Sequence, residues 1–366
     1  MRKRIKVAIL FGGRSAEHEV SLKSAINVIN AVDGDKYEPV LIGIDREGRW
    51  FKNENALLLL KSRNADWIQH DEGNREIAPI SSKDHGQLLD LTNREQIEPI
   101  DVIFPVLHGP YGEDGSIQGF SRLANVPCVG AGILGSAICM DKDVAKRILR
   151  EAGIAVAEFV TLRRKDDVKE RIEEIEKSLK YPLFVKPANM GSSVGISRVM
   201  NLDELYPAID LAFEYDTKVM VEQEVPGREI ECSVLGNESP IASVPGEIVT
   251  KDGFYSYDSK YVDEDGALLI IPADIEPETM ENIQTTALSA FERLECSGMA
   301  RVDMFLTDHG EIYVNEINSI PGFTRISMYP KLWEASGISY SDLIDRLITL
   351  AIEDFERRNH LKTSRE

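Results

Sequence analysis

Residues 298–318 read GMARVDMFLTDHGEIYVNEIN, two apolar runs separated by Thr307, Asp308, His309 and Gly310. Polar turn formers and a glycine between strand-like runs specify an antiparallel hairpin. Side chains alternate between the faces of a strand. Arg301 and Asp303 therefore share one face of the first run, and Val314, Glu316 and Asn318 share one face of the second. A carboxylate and an amide on one strand face are costly to bury without partners. Where the two faces coincide, three oxygen-bearing side chains gather beside one guanidinium. Hard cations such as Mg2+ take oxygen ligands and bind a few carboxylates together with substrate phosphates. The alternative is a polar stripe facing water, as antiparallel sheets often carry. Val302 and Met304 on either side of Asp303 favour the enclosed site.

The charge balance narrows the partners. Lys and Arg total 42 and Asp and Glu 62, so the formal net charge is −20. A field of that sign disfavours nucleic acid and anionic membranes, and leaves room only for a local basic pocket that takes a small anion. With 43% apolar and 28% charged residues, the 366-residue chain has globular composition and material for two or three domains. The start, MRKRIKVAILFGG, has the apolar run VAILF cut short by two glycines, so it reads as a first strand rather than a signal peptide. No apolar run approaches a membrane span. Cys128, Cys139, Cys232 and Cys296 form no CxxC pair and are expected as reduced structural thiols in the cytoplasm.

The first hundred residues alternate strand and helix patterns: IKVAILF, a helix from about Ser21 to Val32, EPVLIGI, and DVIFPVL at 101–107. Such runs predict a parallel sheet covered on both faces. Residues 62–98 are polar and read as an irregular surface excursion. Open parallel sheets bind ligands beyond the carboxyl ends of their strands, where Glu17 and His108 stand ready to face one crevice. A second unit begins near residue 130 and a third near Thr217.

Gly191-Ser192-Ser193-Val194-Gly195 offers flexible backbone and hydroxyls suited to wrapping a phosphate, with Lys186 five residues earlier supplying charge. An ordinary hairpin turn is the competing reading. EQEVPGRE, residues 222–229, has a carboxylate at each end and backbone between, suited to the edges of a base and a ribose or simply to two strand ends. Gly130-Ala131-Gly132-Ile133-Leu134-Gly135 matches the dinucleotide fingerprint GxGxxG, yet lacks a full strand before it and an acidic strand end after it, so it reads as packing glycine.

Together these pieces resemble the ATP-grasp superfamily and, within it, the D-alanine:D-alanine ligases, from Val7 to past Lys331. The blocks that carry the resemblance are ILFGGRSAEHEVS, FPVLHGPYGEDGSIQG, MDKDVAK, LFVKPANMGSSVG, EQEVPGREIE, FYSYDSKYVDEDG and the long segment from Gly298 to Trp333. The resemblance implies an α/β (α+β) fold of three domains. These are a Rossmann-like substrate-binding domain with a parallel sheet over 1–130, and central and C-terminal ATP-grasp subdomains with mixed or antiparallel sheets over 131–216 and 217–366. It implies ATP between the two grasp sheets, with Lys142, Lys186 and Ser193 toward the phosphates, Glu222 on the adenine amino group, backbone at Val225 on the ring edge, and Glu229 on the ribose. Asp303, Glu316 and Asn318 would carry two Mg2+ ions, with Mn2+ as a substitute. The loop from Gly253 to Tyr261 would close the site, Lys260 toward the γ-phosphate, with Tyr261, Ser192 and Glu17 as a hydrogen-bonded latch.

The chemistry implied is phosphorylation of one D-alanine to an acyl phosphate, then attack by the amine of a second. Arg301 and the N–H of Gly322 would stabilise the oxyanion. Glu17, with His108 nearby, would hold the first ammonium, and Ser327 with the N–H of Met328 the second carboxylate. The resemblance further implies a cytoplasmic homodimer supplying peptidoglycan precursor, with small-molecule substrates and no nucleic-acid or membrane partner. Two alternatives stand beside it: a ligase taking D-lactate or D-serine second, and an NAD-dependent oxidoreductase resting on the Gly130 motif.

Overall fold

A computed structural model describes residues 3–62, 68, 71–80, 86–250 and 267–362. Strand β1 (Ile5–Gly12) pairs in parallel with β2 (Tyr37–Ile44), and on its other side with a strand over Val102–Val106. Val7 to Phe11 are fully buried, as a strand covered on both faces requires. Four short strands continue the sheet beyond β2: β3 (Trp50–Lys52), β4 (Arg75–Ile80), β5 (Gly86–Asp90) and β6 (Gln96–Ile100), with Val102–Val106 as β7. The order is β6-β5-β4-β3-β2-β1-β7, antiparallel from β2 outward. Among the described residues of 62–98, expected as an irregular excursion, Arg75–Ile80 and Gly86–Asp90 are instead strands of an antiparallel meander that continues into β6. It escaped the pattern because its buried contribution is thin: Ile77 from β4, Leu88 from β5 and Ile100 from β6. Helices α1 (His18–Ala31), α2 (Ala56–Lys61) and α3 (Ser116–Leu123) accompany this sheet.

Two helices, α4 (Ile133–Met140) and α5 (Lys142–Glu151), lead to a four-stranded antiparallel sheet of β8 (Phe159–Arg163), β9 (Leu183–Pro187), β10 (Ser197–Val199) and β11 (Lys218–Gln223), ordered β10-β9-β11-β8. Helices α6 (Val168–Ser178) and α7 (Leu202–Tyr215) cover one face through Ile172, Ile175, Leu205 and Ile209, which pack with Val185 and Val221. Period-two alternation then turns Lys186 and Glu222 to the opposite face.

The third sheet comprises β12 (Arg228–Gly236), β13 (Ile241–Ala242), β14 (Gly246–Thr250), β15 (Ala267–Ile270), β16 (Gly298–Leu306) and β17 (Ile312–Asn318). Its order is β15-β14-β12-β16-β17, with β13 on β12. Helix α8 (Pro277–Arg293) packs Ile283, Ala287 and Phe291 against Ile230, Val302 and Met304. The last helices, α9 (Met328–Ala335) and α10 (Tyr340–Asn359), return to the first sheet, where Trp333, Leu343 and Leu347 share a core with Ile9 and Phe104.

The glycines of 130–135 pack. A Cβ on Gly135 would stand 2.4 Å from the Glu295 carbonyl, and one on Gly298 would stand 3.2 Å from the Gly130 backbone. This brings Cys139 and Cys296, far apart in sequence, to an Sγ–Sγ distance of 3.3 Å as free thiols. Among the described residues, no helix is long and apolar enough to cross a membrane.

Candidate active site

In the hairpin, Arg301 lies opposite Asn318 and Asp303 opposite Glu316, so the two polar faces coincide. The register slips after Asp303: Met304 faces Val314, which leaves Asn315 as the extra residue of a β-bulge. Strict alternation places Val314 beside Glu316. The bulge rephases β17 instead, so Val314 and Ile317 both enter the apolar core while Asn315 and Glu316 both line a cleft.

Strand β12 widens the pattern. Glu231 pairs with Asp303 and Ser233 with Arg301, so Glu231, Asp303 and Glu316 form a row of carboxylates across three strands. Arg301 forks onto Asp303 with two contacts of 2.7 Å, and its Nε lies 2.9 Å from Glu231. Asn318 Nδ2 donates to Asp303 at 2.9 Å. Lys142 Nζ lies 3.1 Å from Glu316 and donates to the Met190 carbonyl at 2.8 Å. Buried carboxylates in such number need cations beside them, and a guanidinium and an ammonium fill that role here. Among the described residues no group of three or more His, Cys, Asp or Glu stands arranged as a ligand set. Asp303, Glu316 and Asn318 nonetheless offer the oxygen donors that Mg2+ prefers.

A cleft of about 370 Å3 lies between the second and third sheets, lined by Lys142, Lys186, Ser193, Glu222, Val225 and Glu229 among others. Helix α5 starts at Lys142 because Asp141 caps it, accepting from the Val144 N–H at 3.1 Å. Lys146 follows one turn later on the same helix face. Glu222 receives Lys146 on one carboxylate oxygen and Lys186 on the other. Burial alone would push the Glu222 carboxyl up; the two ammonium groups outweigh it and hold the group below the usual carboxylate range. Burial pulls Lys146 down to about 8 against the opposing pull of Glu222. In the neighbouring loop, Ser192 and Ser193 adopt left-handed backbones with φ of 52° and 60°, uncommon for residues with side chains and concentrated at ligand-binding turns. Gly191 lets this loop approach Glu17: a Cβ there would lie 3.0 Å from the carboxylate.

A smaller cavity of about 80 Å3 adjoins the cleft, and Glu17, His108, Arg301, Gly322, Ser327 and Met328 line it. The two share Gly191, Ser192, Ile248 and Glu316 in their walls. Ser192 donates to Glu17, joining the loop after β9 to the loop after β1. His108 Nδ1 donates to the Ile320 carbonyl at 3.0 Å, which leaves Nε2, 3.2 Å from Ser24 Oγ, as an acceptor. Burial lowers the His108 pKa and keeps this ring neutral. Glu113 accepts from the N–H groups of Gly109 at 2.8 Å and Ile320 at 3.0 Å, and burial pushes its carboxyl up to about 8. Ser327 precedes α9, but its hydroxyl accepts from the Thr324 N–H at 2.9 Å instead of capping, so the positive end of the helix carries no side-chain cap.

The chain matches the family model "D-ala D-ala ligase N-terminus" over residues 6–131 and "D-ala D-ala ligase C-terminus" over residues 148–349. A D-alanine--D-alanine ligase of Oceanobacillus iheyensis is 51% identical over 360 residues, covering 98% of each chain. The chain belongs to the D-alanine:D-alanine ligase family. It is an ADP-forming ligase with the ATP-grasp fold. Two solved structures are similar over nearly their whole length. The VanG D-Ala:D-Ser ligase from Enterococcus faecalis has a TM-score of 0.86 at 40% identity, covering 95% of this chain and 100% of that one. A D-alanine--D-alanine ligase from Bacillus anthracis complexed with ATP has a TM-score of 0.71 at 28% identity, covering 97% and 99%.

Of the residues singled out in the ligase sequence, Tyr261 and Lys260 lie outside the described residues. The others line one of the two cavities, save Asp303, which Arg301 and Asn318 hold. Sequence reasoning missed Lys146, Glu231 and Glu113. Lys146 repeats Lys142 at helical spacing, and Glu231 repeats Glu229 at strand spacing, so both had a periodic signal.

Proposed function

We propose that this ligase joins two D-alanine molecules through an acyl phosphate, with ATP in the larger cleft and the amino acids in the smaller cavity. The observation that carries this reading is the shared wall at Gly191, Ser192 and Glu316, which puts the end of the nucleotide cleft against the carboxylate pocket. Lys142 and Lys186 meet the phosphates, the left-handed serines wrap them, and Glu222, Val225 and Glu229 take the base and ribose. Asp303, Glu316 and Asn318 would hold Mg2+, which when bound supplies charge neutralisation between carboxylates and triphosphate. The observed pairs of Asp303 with Arg301 and Glu316 with Lys142 are the resting partners that nucleotide and metal must share or displace.

A carboxylate is a poor electrophile. An oxygen of the first D-alanine attacks the γ-phosphorus, ADP leaves, and the carbonyl carbon becomes an acyl phosphate. The neutral amine of the second attacks that carbon, and phosphate departs with the original carboxylate oxygen. Arg301 and the Gly322 N–H stabilise the oxyanion between. Glu17 holds the first ammonium, while Ser327 and the uncapped end of α9 hold the second carboxylate. His108 stands near this ammonium site in the same cavity as Glu17, its ring oriented by the Ile320 carbonyl and Ser24 Oγ. Tyr261 and Lys260, outside the described residues, have in this reading the role of keeping water from the acyl phosphate, which hydrolysis would destroy.

The proposed division is 1–130, 131–216 and 217–366, except that β11 (Lys218–Gln223) pairs with β8 and β9, so the second sheet runs past residue 217 and the third begins at β12. The protein works as a cytoplasmic homodimer supplying peptidoglycan precursor. D-Alanine as second substrate is favoured by the full-length relative, with D-serine as the alternative that the Enterococcus neighbour keeps open. Initial rates of ADP release with D-alanine alone, and with D-serine or D-lactate added, test this, with products resolved by mass spectrometry. Preferential formation of a mixed product at equal concentrations overturns the D-alanine assignment.

A further inference from the structure

Glu222 is 3% exposed and carries a lysine on each carboxylate oxygen. If Lys186 serves the phosphates, as proposed above, it has to leave Glu222 when nucleotide binds. A lone buried carboxylate would resist that departure, because stripping its only cation leaves an uncompensated charge. Lys146 removes the difficulty. Its side chain is 1% exposed, it stands one turn beyond Lys142 on α5, and its ammonium rests on the Glu222 oxygen that Lys186 does not use. The same helix thus delivers two cations to two ends of the cleft, Lys142 to Glu316 and Lys146 to Glu222.

We infer that Lys146 is the resident counter-ion of Glu222, a positioning residue that releases Lys186 to the phosphates and keeps Glu222 an ionised acceptor aimed at the base. An ionised carboxylate accepts hydrogen bonds and donates none. It therefore favours a purine with an amino group at that edge over one with a carbonyl, which would leave acceptor facing acceptor. Lys146 contributes to base selection without touching the base. This rests on the reading of the larger cleft as the ATP site with Glu222 at the adenine.

The test is steady-state kinetics of the full enzyme with Mg-ATP and with Mg-GTP, comparing wild type, Lys146→Met, Glu222→Gln and the double variant. Lys146→Met should raise the KM for ATP by roughly tenfold or more and reduce the preference for ATP over GTP, while both D-alanine KM values stay within about twofold. The effect should shrink in the Glu222→Gln background, because two residues acting through one contact do not add. Equal effects of Lys146→Met in both backgrounds, or none in either, overturn the role of Lys146. An unchanged ATP-over-GTP ratio in Glu222→Gln overturns the base reading instead, so the two failures are distinguishable. Should Lys146→Met fail to fold, the double variant carries the test, since it removes both buried charges: it must fold and match Glu222→Gln in its KM for ATP. A double variant roughly tenfold worse than Glu222→Gln overturns the proposal.

Discussion

Glu316→Gln removes one charge and almost no volume from the shared wall of the two cavities. In the resting protein the carboxylate lies 3.1 Å from Lys142 Nζ, with side chains 22% and 9% exposed. At an effective dielectric constant of about 20, a pair at 3.1 Å has a gross attraction of about 5 kcal/mol. Desolvation of both groups offsets most of that, and Lys142 keeps its bond to the Met190 carbonyl. The net change in stability should be about 1 kcal/mol, a melting shift of only a few degrees in a chain of this size. Turnover is different, because the site must hold a cation and a triphosphate together. ADP release should fall by at least about a hundredfold, on the scale of losing one preorganised electrostatic contact in a catalytic site. The pair of measurements is ADP release across a Mg2+ titration and thermal melting of the same preparation. Near-normal turnover at low Mg2+ removes Glu316 from the metal-binding set, and a collapse in melting temperature would show the residue to be structural.

Lys218 is 5% exposed and pairs with Asp141 and Asp143 at the start of α5. Lys218→Met takes this ammonium from Asp141 while Arg147 still forks onto Asp143, so it should lower stability by roughly 1 to 3 kcal/mol in denaturant titration, and no measurable loss refutes the pairing. Tyr261→Phe should lower the ratio of dipeptide formed to ATP hydrolysed, with a rate loss of up to about tenfold and little change in ATP affinity. An unchanged ratio and second-substrate KM exclude gating through this residue. The Glu113 carboxyl titrates near 4.5 when unfolded and is pushed up to about 8 when folded, so the folded state binds more protons between those values and wild-type stability falls as pH rises through them. Glu113→Gln lacks that slope. Relative to wild type it should melt higher at pH 8 than at pH 5, by an amount on the order of 1 to 3 kcal/mol, and a pH-independent difference contradicts the shift.

Much of the site was legible because its residues follow simple periods. Arg301, Asp303, Glu316 and Asn318 share a face by alternation, and their strands pair as the turn at Thr307–Gly310 predicts. The bulge at Asn315 was not legible: one inserted residue leaves composition unchanged, and only the burial of both Val314 and Ile317 reveals it. Strands β4 to β6 were missed because one buried apolar residue in a short polar segment carries no hydrophobic period. Contacts between distant segments were beyond any local pattern. Glu113 reaches Ile320, and Cys139 reaches Cys296, through the packing of whole units. Lys146 and Glu231 were within reach of period arguments, since each repeats a residue already chosen one turn or two positions away.

The central claim is that the carboxylate of one D-alanine is activated by phosphoryl transfer in the space where the two cavities meet. D-Alanine labelled with 18O in its carboxylate reports this directly. If an acyl phosphate forms, each turnover cleaves the bond between the carbonyl carbon and one labelled oxygen, and that oxygen leaves with the phosphate. Mass spectrometry should then find one 18O in the inorganic phosphate for each dipeptide made. Dipeptide formed alongside unlabelled phosphate would contradict the account.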